Sequence, residues 1–166
     1  LRSMKKEDPI KSILSNLGIA RLNVMQVAAN QTISSERNTL LLSPTGSGKT
    51  LAFLLPILQL LDEDVPKVQC LIVVPSRELA LQTEQGWKKM GTKFKVNVCY
   101  GGHSIETELN NLSNPPAVLI GTPGRLTDHL ERRSFETESI KTLVLDEFDK
   151  SLQLGFHDEM STIIGQ

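Results

Sequence analysis

The 166-residue sequence predicts an α/β fold: a parallel β-sheet flanked by helices on both faces. Two observations carry this. Strand-like apolar runs alternate with amphipathic helical stretches along the chain, joined by short connections, and parallel strands need crossovers of that kind. The stretch Val68 to Val74 is apolar almost throughout, as in a strand covered on both sides, rather than alternating as in a half-exposed one.

The elements follow in order. Ile10, Ile13, Leu14 and Leu17 recur at helical spacing, and Gly18 ends that helix. Residues 39–43, centred on Leu40-Leu41-Leu42, are expected to form a buried strand. A helix is expected from about residue 49 to 61, ending in the acidic, proline-marked loop Asp62 to Pro66. Val68 to Val74 gives the second strand. The next helix starts near Ser76, an N-cap residue type, with Leu79, Ala80, Thr83, Trp87 and Met90 as its inner face.

Lys95 to Tyr100 is the third strand. It leads to a helix carrying Ile105, Leu109 and Leu112, stopped by Asn114-Pro115-Pro116. Ala117 to Gly121 is the fourth strand. Thr122 to Arg133 begins as a turn and continues as a helix with Leu126 and Leu130 inside. Ile140 to Leu145 is the fifth strand, and a last helical segment sets Phe156, Met160, Ile163 and Ile164 on one side.

Composition narrows the function classes. Hydrophobic content of 39% and charged content of 22% describe a globular domain with a real core. A formal net charge of −1 excludes a global basic field, so any grip on nucleic acid must be local. No apolar run reaches the roughly 20 residues of a membrane span. Leu51 to Leu55 is interrupted by Pro56 and reads as buried helix. Cys70 and Cys99, the only cysteines, lie in strand-like runs without CxxC spacing, so they read as core thiols in an intracellular, cytoplasmic setting. The three histidines show no metal-ligand spacing and are assigned no chemistry.

Five short stretches carry the chemistry, each after a strand-like run. The first is Ser43-Pro44-Thr45-Gly46-Ser47-Gly48-Lys49-Thr50. A glycine-rich turn between strand and helix aims several backbone N–H groups at one point, where the helix dipole adds positive charge. Thr45, Gly46, Ser47 and Gly48 would cradle phosphate oxygens. Lys49 can reach the β- and γ-phosphates, and Thr50 can place its hydroxyl on Mg²⁺. Ser43 stands where the general GxxxxGK[ST] pattern has glycine.

The last stretch is Asp146-Glu147-Phe148-Asp149, after Thr142 to Leu145. A carboxylate at the C-terminal end of a parallel strand sits where such sheets bind ligands. Asp146 is expected to hold Mg²⁺, Glu147 to orient and deprotonate an attacking water, and Asp149 to brace the loop. Both loops are expected to open on one edge of one sheet. Between them come Pro75-Ser76-Arg77-Glu78-Leu79-Ala80, Gly101-Gly102 and Thr122-Pro123-Gly124-Arg125.

With all five in this order, the chain resembles the DEAD-box family of ATP-dependent RNA helicases, in its N-terminal RecA-like P-loop domain. Ser43 to Thr50 resembles the family's motif I, Pro75 to Ala80 motif Ia, Gly101-Gly102 the GG loop, Thr122 to Arg125 motif Ib, and Asp146 to Asp149 motif II. Leu154-Gly155-Phe156 is also family-like. The resemblance implies one domain over residues 1–166 and a second RecA-like domain in cis. It implies ATP and Mg²⁺ as cofactors, RNA as a partner held by its backbone, and a monomer. Lys49, Asp146 and Glu147 would be catalytic. Arg77, Gly102, Thr122, Gly124 and Arg125 would meet RNA. Gln26, at the family's Q-motif spacing from Gly18, would read adenine, since a carboxamide offers both donor and acceptor.

The chain departs from the family pattern at three places. Phe148 replaces an alanine, and its ring is expected to need room under the loop. Leu22-Asn23 replaces Pro-Thr, which bears on support of the phosphate loop. Leu1 sits near the position of the aromatic that stacks on adenine. Two rival readings stand beside the helicase: a P-loop phosphotransferase, and a non-catalytic ATP-gated RNA-binding protein.

Overall fold

The computed structural model describes residues 9–166, so the adenine-stacking position at Leu1 lies outside the described residues. The chain forms two compact units, one holding residues up to 60 together with 86–92, the other 61–85 together with 93–166.

The first unit is helical. It holds α1 (Pro9–Asn16), α2 (Val24–Ser35) and α3 (Lys49–Leu60). In α2, the Asn23 side chain accepts from the Gln26 backbone N–H while the Gln26 side chain accepts from the Asn23 backbone N–H. This reciprocal box satisfies two of the N–H groups that a helix start leaves without partners. The helix α3 is buried from Ala52 through Ile57 and runs through Pro56 without ending. Six consecutive buried residues cover every face of a helix, which explains why this stretch is apolar all round.

The strand expected over residues 39–43 does not form. Leu40 and Leu42 are each 83% exposed, and no ladder includes them. An apolar run licenses burial, but a strand also needs a partner edge, and the regular elements of this unit are all helices.

The second unit contains the sheet. Its strands are β1 (Cys70–Val73), β2 (Val96–Cys99), β3 (Val118–Gly121) and β4 (Thr142–Leu145). All three pairings are parallel, in the order β2-β3-β1-β4. Every residue of β1 and β3 is buried. Successive side chains point to opposite faces, so both faces of these central strands are covered. The helices following the strands are α5 (Ile105–Leu112), α6 (Pro123–Glu131), α7 (Phe148–Gln153) and α8 (His157–Ile164). Helix α4 (Arg77–Lys89) begins in this unit and ends in the first. Ser76 opens it by accepting from the Leu79 N–H at 3.2 Å.

The core joins Val68, Leu71, Val73, Cys99, Leu112, Leu119, Leu126, Phe135, Met160 and Ile163. Each large aliphatic side chain buried there contributes about 1.5–3 kcal/mol. Two expected inward residues face out instead: Leu109 and Ile164 are 37% and 53% exposed. On α5 the buried positions are Glu108 and Leu112, a carboxylate taking the turn assigned to leucine. Buried His129 similarly joins Leu126 on the inner face of α6.

Register fixes what the strands present. Val73 pairs with Gly121 and with Leu145, and Cys99 pairs with Gly121. All four strands therefore end in line, and the loops after them leave from one edge of the sheet.

Candidate nucleotide and RNA site

Along that edge the loops follow strand order. The Gly101-Gly102 loop comes after β2, the Thr122 to Arg125 turn after β3, Ser76-Arg77 after β1 and Asp146-Glu147 after β4. Four of the five motif stretches thus share one sheet edge. The phosphate loop is not carried by a strand of this sheet, because the run before it forms none.

The phosphate loop is built within the first unit. Gly46 and Gly48 take φ of +80° and +89°, a region that side chains avoid. Lys49 Nζ donates to the carbonyl oxygens of Ser43 at 2.5 Å and Pro44 at 3.1 Å, and Ser43 Oγ lies 2.6 Å from Ser47 Oγ. Ser43 thus has a job that a glycine could not do: its side chain braces the turn.

Gln26 is buried, and its carboxamide is engaged at both ends. Oε1 accepts from the Asn23 N–H, and Nε2 donates to the Gly48 carbonyl at 3.2 Å. Asn23 Nδ2 donates to the Ser47 carbonyl at 3.0 Å. Asn23, standing where the family has threonine, therefore ties helix α2 to the phosphate loop directly. A ladder of two side chains thus holds two consecutive carbonyls of that loop. The geometry suits a phosphate cradle: the turn is lined by glycines, offers an ammonium, and leaves Thr45 and Gly46 exposed.

In the second unit, Asp146 N–H donates to the Val73 carbonyl at 2.9 Å, extending the β1–β4 ladder to the acidic pair. Glu147 caps α7 with φ +50° and ψ +45°, a left-handed conformation that costs a non-glycine residue about 1–2 kcal/mol. Its Oε2 accepts from Lys150 Nζ at 2.7 Å. Salt-bridging to Glu147 raises the Lys150 pKa. Phe148, the first residue of α7, is 38% exposed, so its ring is partly in solvent and does not require a cavity beneath the loop.

The arginines differ. Arg77 is exposed, with its guanidinium 5.2 Å above the Tyr100 ring, a cation–π distance. Arg125 turns inward. Its Nη1 donates to Glu108 Oε2 at 2.9 Å, and Nη1 and Nη2 both donate to the His103 carbonyl, at 3.1 and 3.2 Å. Thr122 caps α6 without spending its hydroxyl on the helix, and Gly102 and Gly124 are exposed.

The cluster that sequence reasoning missed centres on Glu108. Cys99, Glu108 and His129 are all buried, with potential ligand atoms within 4.8 Å of one another. Spacing along the chain gave no hint, because the three come from a strand and two separate helices. A cation is already supplied there by the Arg125 guanidinium. Burial pushes the Glu108 carboxyl up, but hydrogen bonds from His129, His103, the Tyr100 N–H and Arg125 outweigh it and hold the group below the usual carboxylate range.

Known proteins agree with this geometry. A family model described as DEAD/DEAH box helicase matches residues 23–166. The ATP-dependent RNA helicase CshA of Limosilactobacillus reuteri is 44% identical over 122 residues, covering 72% of this chain and 24% of the relative. The ATP-dependent RNA helicase DeaD of Escherichia coli (strain K12) is 38% identical over 161 residues, 95% of this chain and 26% of the relative. The crystal structure of a hypothetical ATP-dependent RNA helicase from Sulfolobus tokodaii superposes with a TM-score of 0.86 at 28% identity, over 96% of this chain and 47% of that one. The chain spans about a quarter of the length of these curated relatives. The phosphate loop, the acidic pair after β4, the RecA-like sheet and these matches agree: the chain belongs to the DEAD/DEAH box helicase family.

Proposed function

We propose that this chain is the nucleotide- and RNA-binding half of an ATP-dependent RNA helicase or RNA-remodelling ATPase, completed in cis by a C-terminal RecA-like domain. The observation that carries the proposal is the phosphate loop. Its glycines adopt left-handed conformations, its carbonyls are held back by Asn23 and Gln26, and its lysine rests on loop carbonyls that a phosphate would replace.

The roles follow from residue chemistry. Thr45 to Gly48 offer N–H groups to phosphate, and Lys49 adds a full positive charge. Thr50 and Asp146 would hold Mg²⁺, which when bound neutralises β- and γ-phosphate charge. Glu147 orients the attacking water and takes its proton. Gln26 would give adenine preference through the carboxamide hydrogen and lone pair that its bonds to Gly48 and Asn23 leave unspent. Arg77, Gly102, Thr122, Gly124 and Arg125 line the loops that grip RNA phosphates, with little reading of bases. The full protein would act as a monomer inside the cell, where two buried thiols stay reduced. Alone, the chain should bind nucleotide weakly and turn over ATP very slowly, because arginines from the second domain complete sites of this kind.

Displacement of a fluorescent ATP analogue tests the nucleotide half. ATP should compete better than GTP, and Gln26→Ala should narrow that difference. Equal competition by GTP would remove the adenine role.

A further inference from the structure

Glu108 is a carboxylate whose side chain is 0% exposed, and its two oxygens collect four hydrogen bonds. Oε1 lies 3.1 Å from the Tyr100 backbone nitrogen and 3.0 Å from His103 Nδ1. Oε2 lies 2.9 Å from Arg125 Nη1 and 2.7 Å from His129 Nε2. A carboxylate has about four lone-pair sites, so this one is saturated. His129 Nδ1 is buried without a hydrogen-bond partner, so the ring joins the cluster through Nε2 alone. The Arg125 guanidinium supplies the cluster's permanent positive charge.

Each oxygen faces one group that can only donate: the Tyr100 N–H on one side, the Arg125 guanidinium on the other. An amide in place of the carboxylate would set its NH₂ against one of them. Only an ionised acid can satisfy both. Tyr100 and His103 flank the Gly101-Gly102 loop, while Arg125 and His129 belong to the turn and helix after β3. Arg125 also reaches across to the His103 carbonyl. The two loops are neighbours on the sheet edge because β2 and β3 are paired.

We propose that Glu108 is a positioning residue for RNA binding, latching the Gly101-Gly102 loop and the Thr122 to Arg125 turn into one rigid phosphate-gripping unit. The inference rests on the RNA reading above. Breaking the latch lets two loops move independently. The entropy of ordering them is then paid when RNA binds.

The test is fluorescence anisotropy of this chain with fluorescein-labelled oligouridine RNA at several salt concentrations, with thermal melts confirming folded protein. Glu108→Ala should weaken binding about tenfold, the scale of a lost buried charge-assisted contact, and flatten the salt dependence by about one phosphate contact. Glu108→Gln should fall between, since it keeps one of the two donor-only partners. Arg125→Lys, which keeps the charge but cannot fork to Glu108 and the His103 carbonyl together, should also weaken binding. In an Arg125→Ala background Glu108→Ala should add little further loss.

If Glu108→Ala does not fold, Glu108→Gln and Arg125→Lys carry the test. Wild-type affinity and salt slope in folded Glu108→Ala or in Arg125→Lys would overturn the latch and leave the RNA reading standing, as would additive losses in the double variant. Absence of RNA binding by the wild-type chain would overturn both.

Discussion

Gly48→Ala and Gly46→Ala look like equivalent changes in one loop, yet the structure separates them. Gly46 has φ +80°, and a Cβ added there meets nothing within 4 Å. Alanine at this site costs only the left-handed backbone, about 1–2 kcal/mol. Gly48 has φ +89°, and its Cβ would lie 2.5 Å from Gln26 Nε2. That side chain is buried and held at both ends, so it yields only by giving up its bond to the Gly48 carbonyl. The lost bond adds about 0.5–1.5 kcal/mol, giving about 1.5–3.5 kcal/mol for Gly48→Ala. Urea unfolding followed by Trp87 fluorescence is the assay, because this single tryptophan is buried and belongs to the same unit as the loop. Gly48→Ala should lower the midpoint more than Gly46→Ala at unchanged slope. Equal losses for the two variants would refute the claim that Gln26 props the phosphate loop.

Three more predictions concern the second unit. A Cβ on Gly121 would lie 2.6 Å from Leu126 Cγ and 2.8 Å from the Cys99 carbonyl oxygen, so Gly121→Ala should destabilise by about 1–3 kcal/mol or more in a urea melt. The Glu108 carboxyl is held below its ordinary value of 4.5, so its stabilisation is fully present above that pH and is lost as pH falls toward the lowered folded value. The ionisable groups around it are His103, Arg125, His129 and Cys99. Stability measured from pH 6 downward should therefore fall less steeply for Glu108→Gln than for wild type, starting from a lower plateau. Lys150→Ala removes an exposed partner of Glu147 and should leave the melting temperature essentially unchanged in thermal melts, as exposed ion pairs contribute little.

Four strands were legible, three as apolar runs and β2 as a partly alternating one, each bounded by turn residues, and their parallel pairing follows from the helices between them. Leu40 to Leu42 shows the limit of that logic. Its apolarity matches that of β3, but pairing is a property of two segments, and one segment's pattern cannot reveal a missing partner. Helix faces were legible where apolar residues dominate, as in Ala80, Thr83, Trp87 and Met90. On α5 the rule misassigned Leu109, because Glu108 is drawn inward by four donors that come from other parts of the chain. The phosphate loop could be read from its glycines, lysine and threonine alone, although the strand expected before it is absent, and the acidic pair from its place directly after β4. The cluster joining Cys99, Glu108, Arg125 and His129 could not, since it exists only once β2 and β3 pair. Asn23 lies between these cases: its capping role is a local pattern, while its grip on Ser47 depends on how α2 meets the loop.

RNA-stimulated ATP turnover by a protein of the relatives' full length carrying this sequence tests the central claim most directly. Hydrolysis should rise with added RNA and fall by orders of magnitude in Glu147→Gln, while that variant still binds ATP. Turnover indifferent to RNA, or unchanged in Glu147→Gln, would contradict the account.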